Sequence, residues 1–244
     1  MIIGLIPSRL NSKRLKNKSL LEIDGLPMIV HTFKRAMLAK KLDKVIVCTD
    51  SKKTKSVVEN HGGNAILTSK KHNNGTERIA EVSKKFNCKL VIDIQGDEPL
   101  VSPTDIDQLV KFHLKNKHFD IVLPSVQSKR DLNSRNVVKV VKSKSNKVLY
   151  FSRSNIPCEF SSKNQYFLKH YSIISFKPKK LFEFSKLNKG ELEKVEGVEL
   201  LRALENDFSI GTYIIKNKSF AIDVKEDLIK ALQIMPSDKI RKLY

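Results

Sequence analysis

Apolar and polar residues alternate along this chain in two kinds of block. Compact runs rich in Val and Ile predict buried strands, and segments in which apolar residues recur every three or four positions predict helices. In the first half the two kinds alternate, as is typical of an α/β fold with a parallel sheet covered on both faces. The predicted strands span residues 1–6, 43–49, 65–68, 89–94 and 120–125, and the predicted helices span residues 27–40, 52–61, 76–83 and 105–115.

The pattern changes after Val126. Short apolar segments separated by a turn at Ser145-Asn146 predict antiparallel strands, and residues 130–185 are expected to form a β-rich insertion or edge element that could serve as a dimer surface. The chain contains no internal repeat and no linker, so residues 1–244 are interpreted as a single domain. The later predicted strands span residues 137–141, 147–151, 167–176 and 210–215, and the later helices span residues 179–185, 195–205 and 226–232.

Composition narrows the class of protein. Hydrophobic residues make up 40% of the 244 residues and charged residues 30%, which is typical of a globular protein. The apolar runs are far shorter than the roughly 20 residues that a membrane span needs, and no signal-peptide pattern opens the chain. The three cysteines lie far apart, which argues against disulfides and a zinc site. We therefore expect a cytoplasmic protein without a membrane partner.

The formal net charge of +20 raises the possibility of a nucleic-acid-binding protein, whose affinity would depend steeply on salt. Lysine supplies most of the cations, however, and arginine, which is preferred for phosphate and base recognition, occurs at only nine positions. The lysines are scattered rather than clustered. We therefore predict no nucleic-acid partner and expect the charge to concentrate a small anionic substrate.

A basic loop follows the first predicted strand. Residues 7–18 include Arg9, Arg14 and Lys18, with small polar side chains between the cations. Ligands of open α/β sheets bind beyond the carboxyl ends of the strands, so a cationic loop there can hold a polyphosphate. It is neither a Walker loop nor a G-x-G-x-x-G loop, because a single glycine precedes Gly25. The alternative is an ordinary solvated basic loop.

An acidic turn, Gln95-Gly96-Asp97-Glu98-Pro99, follows the strand predicted at residues 89–94. Its two adjacent carboxylates suit Mg²⁺, which takes one or two carboxylates together with substrate phosphates, and Gly96 permits close backbone approach. The alternative is an acidic turn that caps a helix.

A third motif, Asn73-Asn74-Gly75-Thr76-Glu77-Arg78, places small donors and backbone amides at the start of a predicted helix, where they could contact a base edge or a ribose. The alternative is an ordinary helix start with Thr76 as the N-cap.

Together these motifs resemble the 3-deoxy-manno-octulosonate (Kdo) cytidylyltransferases, also called CMP-Kdo synthetases, over nearly the whole chain and in the same order. Further matching motifs lie in the second half. They are Val138-Lys139-Val140-Val141, Leu149-Tyr150-Phe151-Ser152-Arg153-Ser154-Asn155-Ile156-Pro157, His170, Leu201-Arg202-Ala203-Leu204-Glu205 and Ile222-Asp223-Val224-Lys225-Glu226-Asp227-Leu228.

The resemblance implies a Rossmann-like nucleotidyltransferase fold of the nucleotide-diphospho-sugar transferase type, a homodimer, and the reaction of CTP with Kdo to give CMP-Kdo and diphosphate for lipopolysaccharide synthesis. On this basis we expect Asp97 and Asp223 to hold Mg²⁺ between sugar and α-phosphate, and these two aspartates with Lys18 and Arg14 to form the catalytic set. The residues expected to contact the nucleotide are Arg9, Arg14, Lys18, Gly75, Thr76, Arg78 and Gln95, and those expected on the acidic-sugar side are Gln95, Arg153, His170 and Glu199.

Three departures from the family pattern bear on specificity. The family commonly has Pro-Gly-Lys-Pro at Lys16-Asn17-Lys18-Ser19, tyrosine at Ile174, and Thr-Pro at Val224-Lys225. The sugar could therefore be a relative of Kdo, namely 8-amino-Kdo, sialic, legionaminic or pseudaminic acid. A glycosyltransferase of the GT-A type, in which paired acids hold the metal of a nucleotide-sugar, is the alternative reaction. Without the resemblance, Asp223 would be interpreted as an ordinary surface acid before the last helix.

Overall fold

The computed structural model describes residues 1–10, 15, 17–129, 132–162, 165–216 and 219–244. Strands in this part of the chain are β1 (Ile2–Ser8), β2 (Glu22–Ile23), β3 (Leu26–Pro27), β4 (Lys44–Thr49), β5 (Ala65–Leu67), β6 (Leu90–Ile94), β7 (Ile121–Ser128), β8 (Lys139–Lys142), β9 (Val148–Ser152), β10 (Phe167–His170), β11 (Ile173–Phe176) and β12 (Ile210–Ile215). Helices are α1 (Met28–Met37), α2 (Lys52–Asn60), α3 (Gly75–Ser83), α4 (Pro103–Lys115), α5 (Pro178–Lys186), α6 (Glu191–Glu196), α7 (Glu199–Glu205) and α8 (Lys225–Ile234).

The first half forms the parallel part of the main sheet. Its strands lie in the order β5-β4-β1-β6, and every neighbouring pair is parallel. Ile3 and Leu5 pack into the core on one face, while Val45 and Val47 pack into the core on the other. Burial on both faces explains the continuous apolar runs, and the predicted α/β fold with a parallel core sheet is confirmed.

The second half extends the sheet with antiparallel strands. The segment predicted as one strand over residues 167–176 is two strands, because Tyr171 and Ser172 shift the pairing register along β7 between β10 and β11. The edge element expected over residues 130–185 also differs from the prediction. Strands β8 and β9 form the end of the sheet, but β11 lies between β6 and β7, antiparallel to both. Strand β12 runs parallel to β7.

Two turns explain local differences from the predicted elements. Gly197 has a left-handed backbone conformation, with φ of 61°, and it ends α6, so the single helix predicted at residues 195–205 was wrong. A second turn, at Asp24-Gly25 with φ of 47° and 76°, joins the short strands β2 and β3, which the apolar pattern had not indicated.

The C-terminal segment returns to the open end of the sheet. Ile222, Ala231 and Met235 pack with Ile23 and Met28 in a separate apolar cluster. This packing carries the segment before α8 to the carboxyl ends of β1 and β6. In the described residues no helix is both long and apolar enough to cross a lipid bilayer.

Candidate active site

A cleft of about 480 Å³ opens at the carboxyl ends of β1 and β6. Ligands bind at this edge of open α/β sheets, where the loops after neighbouring strands separate. The residues around it come from the basic loop, the Asn73–Arg78 motif, the acidic turn and the C-terminal segment. They are Pro7, Ser8, Arg9, Lys18, Ser19, Met28, His72, Asn73, Asn74, Gly75, Arg78, Gln95, Gly96, Asp97 and Asp223.

Lys18 joins the two aspartates across this cleft. Its Nζ lies 2.7 Å from Oδ2 of Asp97 and 3.0 Å from Oδ1 of Asp223. The carboxylates come from segments far apart in sequence, and both remain partly exposed, with side-chain exposures of 31% and 45%. The structure therefore brings together three of the four residues of the expected catalytic set.

Backbone contacts hold the two aspartates in place. A Cβ on Gly96 would lie 2.7 Å from the carbonyl oxygen of Pro7, so only glycine lets the acidic turn approach the first loop this closely. The amide of Ile222 donates to the carbonyl oxygen of Asp97, with an N–O distance of 2.9 Å. The Asp227 carboxylate accepts from the amides of Asp223 and Val224, which fixes the start of α8.

The basic loop is described only in part. Arg9 is exposed and lines the cleft, as expected. Arg14 and Lys16 lie outside the described residues, so the role expected for Arg14 stays a prediction. Asn17 has a left-handed conformation with φ of 54°, which asparagine tolerates well, and it immediately precedes the short 3₁₀ turn that carries Lys18. Asparagine can therefore occupy the position where the family commonly has glycine.

The start of α3 lies on one wall of the cleft. The N-cap is Asn74, not Thr76, because the Asn74 side-chain oxygen accepts from the amide of Glu77 at 2.8 Å. Gly75 lines the cleft as expected. The Thr76 hydroxyl is buried and donates to a carboxylate oxygen of Glu199 at 3.0 Å, which links this wall to α7.

Arg78 lines the cleft as expected, and it also makes contacts within the protein. Its guanidinium is 4% exposed, donates to Asp50 at 2.9 Å and hydrogen-bonds to the Thr68 hydroxyl. It lines the back of the cleft, but these contacts hold the ends of β4 and β5 against α3. Arg78 therefore has a framework role, and its expected contact with the nucleotide stays a prediction, because it lines the cleft and a guanidinium has five N–H donors.

Gln95 connects the cleft to a buried carboxyl group that the sequence analysis missed. Its amide nitrogen donates to Oδ2 of Asp93 at 2.9 Å, and Oδ1 of Asp93 has no hydrogen-bond partner among the described residues. Burial, with Glu199 and Asp97 as neighbouring carboxylates, raises the pKa of Asp93 well above its usual value. Ile174 on β11 lies directly opposite Asp93 in the sheet. The sequence of strand β6 could have indicated Asp93, because Asp93 is the single acid in an otherwise apolar run.

Glu98 is a second buried acid, so the adjacent carboxylates of the acidic turn do not both face the cleft: Asp97 lines it and Glu98 does not. Its side chain is 2% exposed, and the Ser219 hydroxyl donates to Oε2 at 3.1 Å. Burial raises the pKa of Glu98 to about 7, and hydrogen bonds from the Ser172 and Ser219 hydroxyls oppose that rise.

The residues expected on the sugar side lie around β9, β10 and α7. Arg153 donates through its guanidinium to the backbone carbonyls of Glu196, Arg135 and Gly197, at 2.8, 2.8 and 3.3 Å. His170 is half-buried, and its burial lowers the pKa to about 4, so it is neutral at physiological pH. None of these contacts excludes a ligand, because three of the five guanidinium N–H groups of Arg153 are used.

Glu199 is held by two partners. Arg202 donates to one carboxylate oxygen at 2.8 Å, while Thr76 donates to the other. Burial nevertheless raises the pKa of Glu199. Glu199 thus lies between the α3 wall of the cleft and the buried Asp93, and it extends the chain of polar groups inward from the cleft.

The donor set fits a divalent cation. The Lys18 ammonium already occupies a position between Asp97 and Asp223 where a cation is stabilised by two carboxylates. The described residues contain no cluster of three or more acidic, histidine or cysteine side chains that could hold a metal alone. Two carboxylates facing a cleft are what Mg²⁺ uses when substrate phosphates complete its ligands.

Comparisons with known proteins point to one family. The family model described as Cytidylyltransferase matches residues 3–217. A 3-deoxy-manno-octulosonate cytidylyltransferase of Thermodesulfovibrio yellowstonii is 38% identical, covering 93% of this chain and 94% of that protein. An 8-amino-3,8-dideoxy-manno-octulosonate cytidylyltransferase of Shewanella putrefaciens is 37% identical, covering 95% and 97%.

A solved structure is similar over the same length. The structure of a CMP:2-keto-3-deoxy-manno-octonic acid synthetase complexed with CTP superposes with a TM-score of 0.93 at 31% identity, and covers 97% of this chain and 98% of that one.

Proposed function

The chain belongs to the 3-deoxy-manno-octulosonate cytidylyltransferase family, and from this premise we propose that its substrates are CTP and Kdo. The protein is a cytidylyltransferase. In the proposed reaction a sugar hydroxyl attacks the α-phosphate of CTP, CMP-Kdo forms, and diphosphate leaves. Its product serves lipopolysaccharide biosynthesis.

The observation that carries the proposal is the grouping of Lys18, Asp97 and Asp223 at the edge of the cleft. A carboxylated sugar and a triphosphate repel each other, so the reaction requires cationic charge between them. The two aspartates are partly exposed, so a cation that enters the cleft can reach both of them in place of the Lys18 ammonium, which is 12% exposed.

Asp97 and Asp223 are proposed to hold Mg²⁺ at this position. Bound there, Mg²⁺ would neutralise phosphate charge and lower the pKa of the attacking hydroxyl. Lys18, when displaced from the aspartates, remains within the cleft and can neutralise the charge that develops on the leaving diphosphate. Arg9 faces the same space, and Arg14 is proposed to act beside it.

Orientation of the substrates is assigned to uncharged groups. Gly75, at the first turn of α3, presents backbone to the cleft. Gln95 is held from behind by Asp93, which fixes the direction of its amide towards the cleft. Thr76 acts indirectly, through the hydrogen bond from its hydroxyl to Glu199. Positioning by such groups supplies much of the catalysis in phosphoryl and nucleotidyl transfer.

The acidic-sugar side is assigned to Arg153, His170 and Glu199. Backbone carbonyls hold the Arg153 guanidinium, so its two remaining N–H groups are fixed in direction and suited to a carboxylate. A neutral His170 can accept or donate a single hydrogen bond to a sugar hydroxyl.

The test is diphosphate release from each of ATP, CTP, GTP and UTP, with Mg²⁺ and with or without Kdo. The proposal predicts release only when CTP and Kdo are both present. Release with another nucleotide, or no release with Kdo under any condition, would contradict it. A glycosyltransferase of the GT-A type would instead bind a nucleotide-sugar without releasing diphosphate.

A second candidate sugar is 8-amino-Kdo. Asp93 is a buried carboxyl group behind the cleft with the partly exposed Glu199 as its neighbour, and Asp93 has an oxygen without a partner in the described residues. Burial raises the pKa of both carboxyl groups, and an ammonium group on the sugar would lower those pKa values and pair with the carboxylates. A competition experiment with equal concentrations of Kdo and 8-amino-Kdo decides between the two by which CMP-sugar forms. Sialic, legionaminic and pseudaminic acids are tested in the same way. A homodimer and a cytoplasmic location stay predictions.

A further inference from the structure

The position of Asp223 relative to Asp97 depends on the short segment of residues 219–223, which precedes α8. This segment is anchored to the acidic turn in two places. One is the backbone bond from the amide of Ile222 to the carbonyl oxygen of Asp97, at 2.9 Å. The other is the side-chain bond from the Ser219 hydroxyl to Glu98, at 3.1 Å.

Glu98 is buried and does not line the cleft, although Asp97 beside it does. Its side chain is 2% exposed, whereas Asp97 beside it is 31% exposed and faces Lys18. A buried carboxyl group is costly unless hydrogen bonds satisfy it. The hydroxyls that satisfy Glu98 come from Ser219, before the Asp223 segment, and from Ser172, between β10 and β11.

Glu98 thus joins three separate parts of the chain at one point. Its own turn is closed by backbone bonds from the amide of Glu98 to Gln95 and from the amide of Val101 to Glu98, at 3.1 Å each. Because this closed turn is hydrogen-bonded to Ser219, the segment that carries Asp223 has little freedom to move away from Asp97. Buried polar networks of this kind restrict a structure to one arrangement when their members are satisfied.

We propose that Glu98 is a positioning residue that fastens the 219–223 segment to the acidic turn through Ser219, and so sets the spacing between Asp97 and Asp223. This inference rests on the proposed function, because the spacing matters for the reaction only if the two aspartates hold one metal ion. The residue does not touch substrate. Its effect reaches the reaction through the two aspartates.

Ser219→Ala removes the fastening hydroxyl with little change in volume, and Ser219→Thr keeps a hydroxyl. Ser145→Ala is the matched control, because its hydroxyl bonds only to Ser143 in the exposed turn between β8 and β9 among the described contacts. Glu98→Gln retains a carbonyl acceptor for Ser219 and serves as the second variant.

The first readout is hydrogen–deuterium exchange of the protein alone, without metal or nucleotide. Ser219→Ala is expected to exchange the amide of Ile222 about tenfold faster, the change expected for loss of a hydrogen bond to a carboxyl group. Ser219→Thr and Glu98→Gln should lie nearer to wild type, and Ser145→Ala should match it. Unchanged exchange in Ser219→Ala overturns the proposal.

The second readout is the Mg²⁺ dependence of diphosphate release at saturating CTP and sugar. Ser219→Ala is expected to raise the half-saturating Mg²⁺ concentration about tenfold, as for other residues that orient metal ligands, while kcat at saturating Mg²⁺ stays close to wild type. Faster exchange with an unchanged Mg²⁺ requirement also overturns the proposal. If wild type releases no diphosphate, the proposed function fails, and the exchange experiment alone decides the fastening.

Discussion

The two sides of the candidate site use charge in different ways. At the cleft edge, Lys18, Asp97 and Asp223 are paired with each other, and the carboxylates are about one-third to one-half exposed. Behind the expected sugar side, Arg202 and Glu193 form an ion pair in which both side chains are buried, with exposures of 4% and 8%. The first set can change partners, whereas the second is built into the framework.

This difference indicates where ligands can be exchanged. A partly exposed ion pair is weak, so its partners can be replaced by a metal ion or a phosphate. A buried pair cannot be broken cheaply, because each partner left alone would be an unpaired buried charge. We therefore expect substitutions at the cleft edge to reduce turnover, and substitutions on the sugar side to act through the position and affinity of the sugar.

The largest effect is expected for Asp97→Asn. The amide keeps the size of the side chain but removes the negative charge that faces Lys18. Turnover with CTP, Mg²⁺ and Kdo should fall at least about 100-fold, the upper end of what even residues behind a metal ligand cost. Asp207→Asn, on the exposed surface, is the control and should be unaffected. Near-normal turnover of Asp97→Asn would remove Asp97 from the proposed metal site.

A smaller loss, about 10- to 100-fold in kcat, is expected for Lys18→Met, because a charge-assisted contact to the leaving diphosphate is removed. The same variant leaves the two aspartates without their cation. Added Mg²⁺ should therefore raise the melting temperature of Lys18→Met more than that of wild type. An equal or smaller rise would indicate that Lys18 and the metal do not compete for one position.

Arg153→Lys tests the sugar side. Lysine cannot reproduce the planar fork that three backbone carbonyls now orient. The KM for the sugar should rise about tenfold, the effect of losing one charge-assisted hydrogen bond, and the KM for CTP should stay unchanged. If only the melting temperature falls, Arg153 is part of the framework and not of the sugar site.

The smallest effect concerns His170. Its pKa is lowered to about 4 by burial, so the ring should remain neutral from pH 8 down to about pH 5 in an NMR titration. The unfolded chain takes up this proton near pH 6.5, so His170 stabilises the fold fully above that pH and loses this contribution as the pH falls towards 4. A titration midpoint near 6.5 in the folded protein would contradict the burial.

Local patterns were sufficient to predict the parallel half of the fold and the loops that form the cleft. Strand β6 and the acidic turn after it could be recognised from a buried run followed by Gly96 and Asp97. The contact between Lys18 and Asp223 could not be recognised from local patterns, because it depends on how the C-terminal segment packs against Ile23 and Met28. The resemblance to a family supplied Asp97, Asp223 and Lys18 as members of one catalytic set, but not the ion pair between Lys18 and the aspartates.

Other features depend on contacts between distant segments. Strand β11 lies between β6 and β7, an arrangement that no local pattern specifies. Arg78 could be recognised as part of a motif, but its partner Asp50 follows a different strand. The burial of Asp93 and Glu98 likewise becomes visible only when their neighbours are in place.

The most direct test of the account is Mn²⁺ binding in the presence of CTP, measured by electron paramagnetic resonance with wild type and Asp223→Asn. Because Mn²⁺ accepts the same oxygen ligands as Mg²⁺, loss of this carboxylate should weaken binding by at least about 10- to 100-fold, with the CTP affinity measured separately as a control. An unchanged Mn²⁺ affinity in Asp223→Asn would show that Asp97 and Asp223 do not form one metal site.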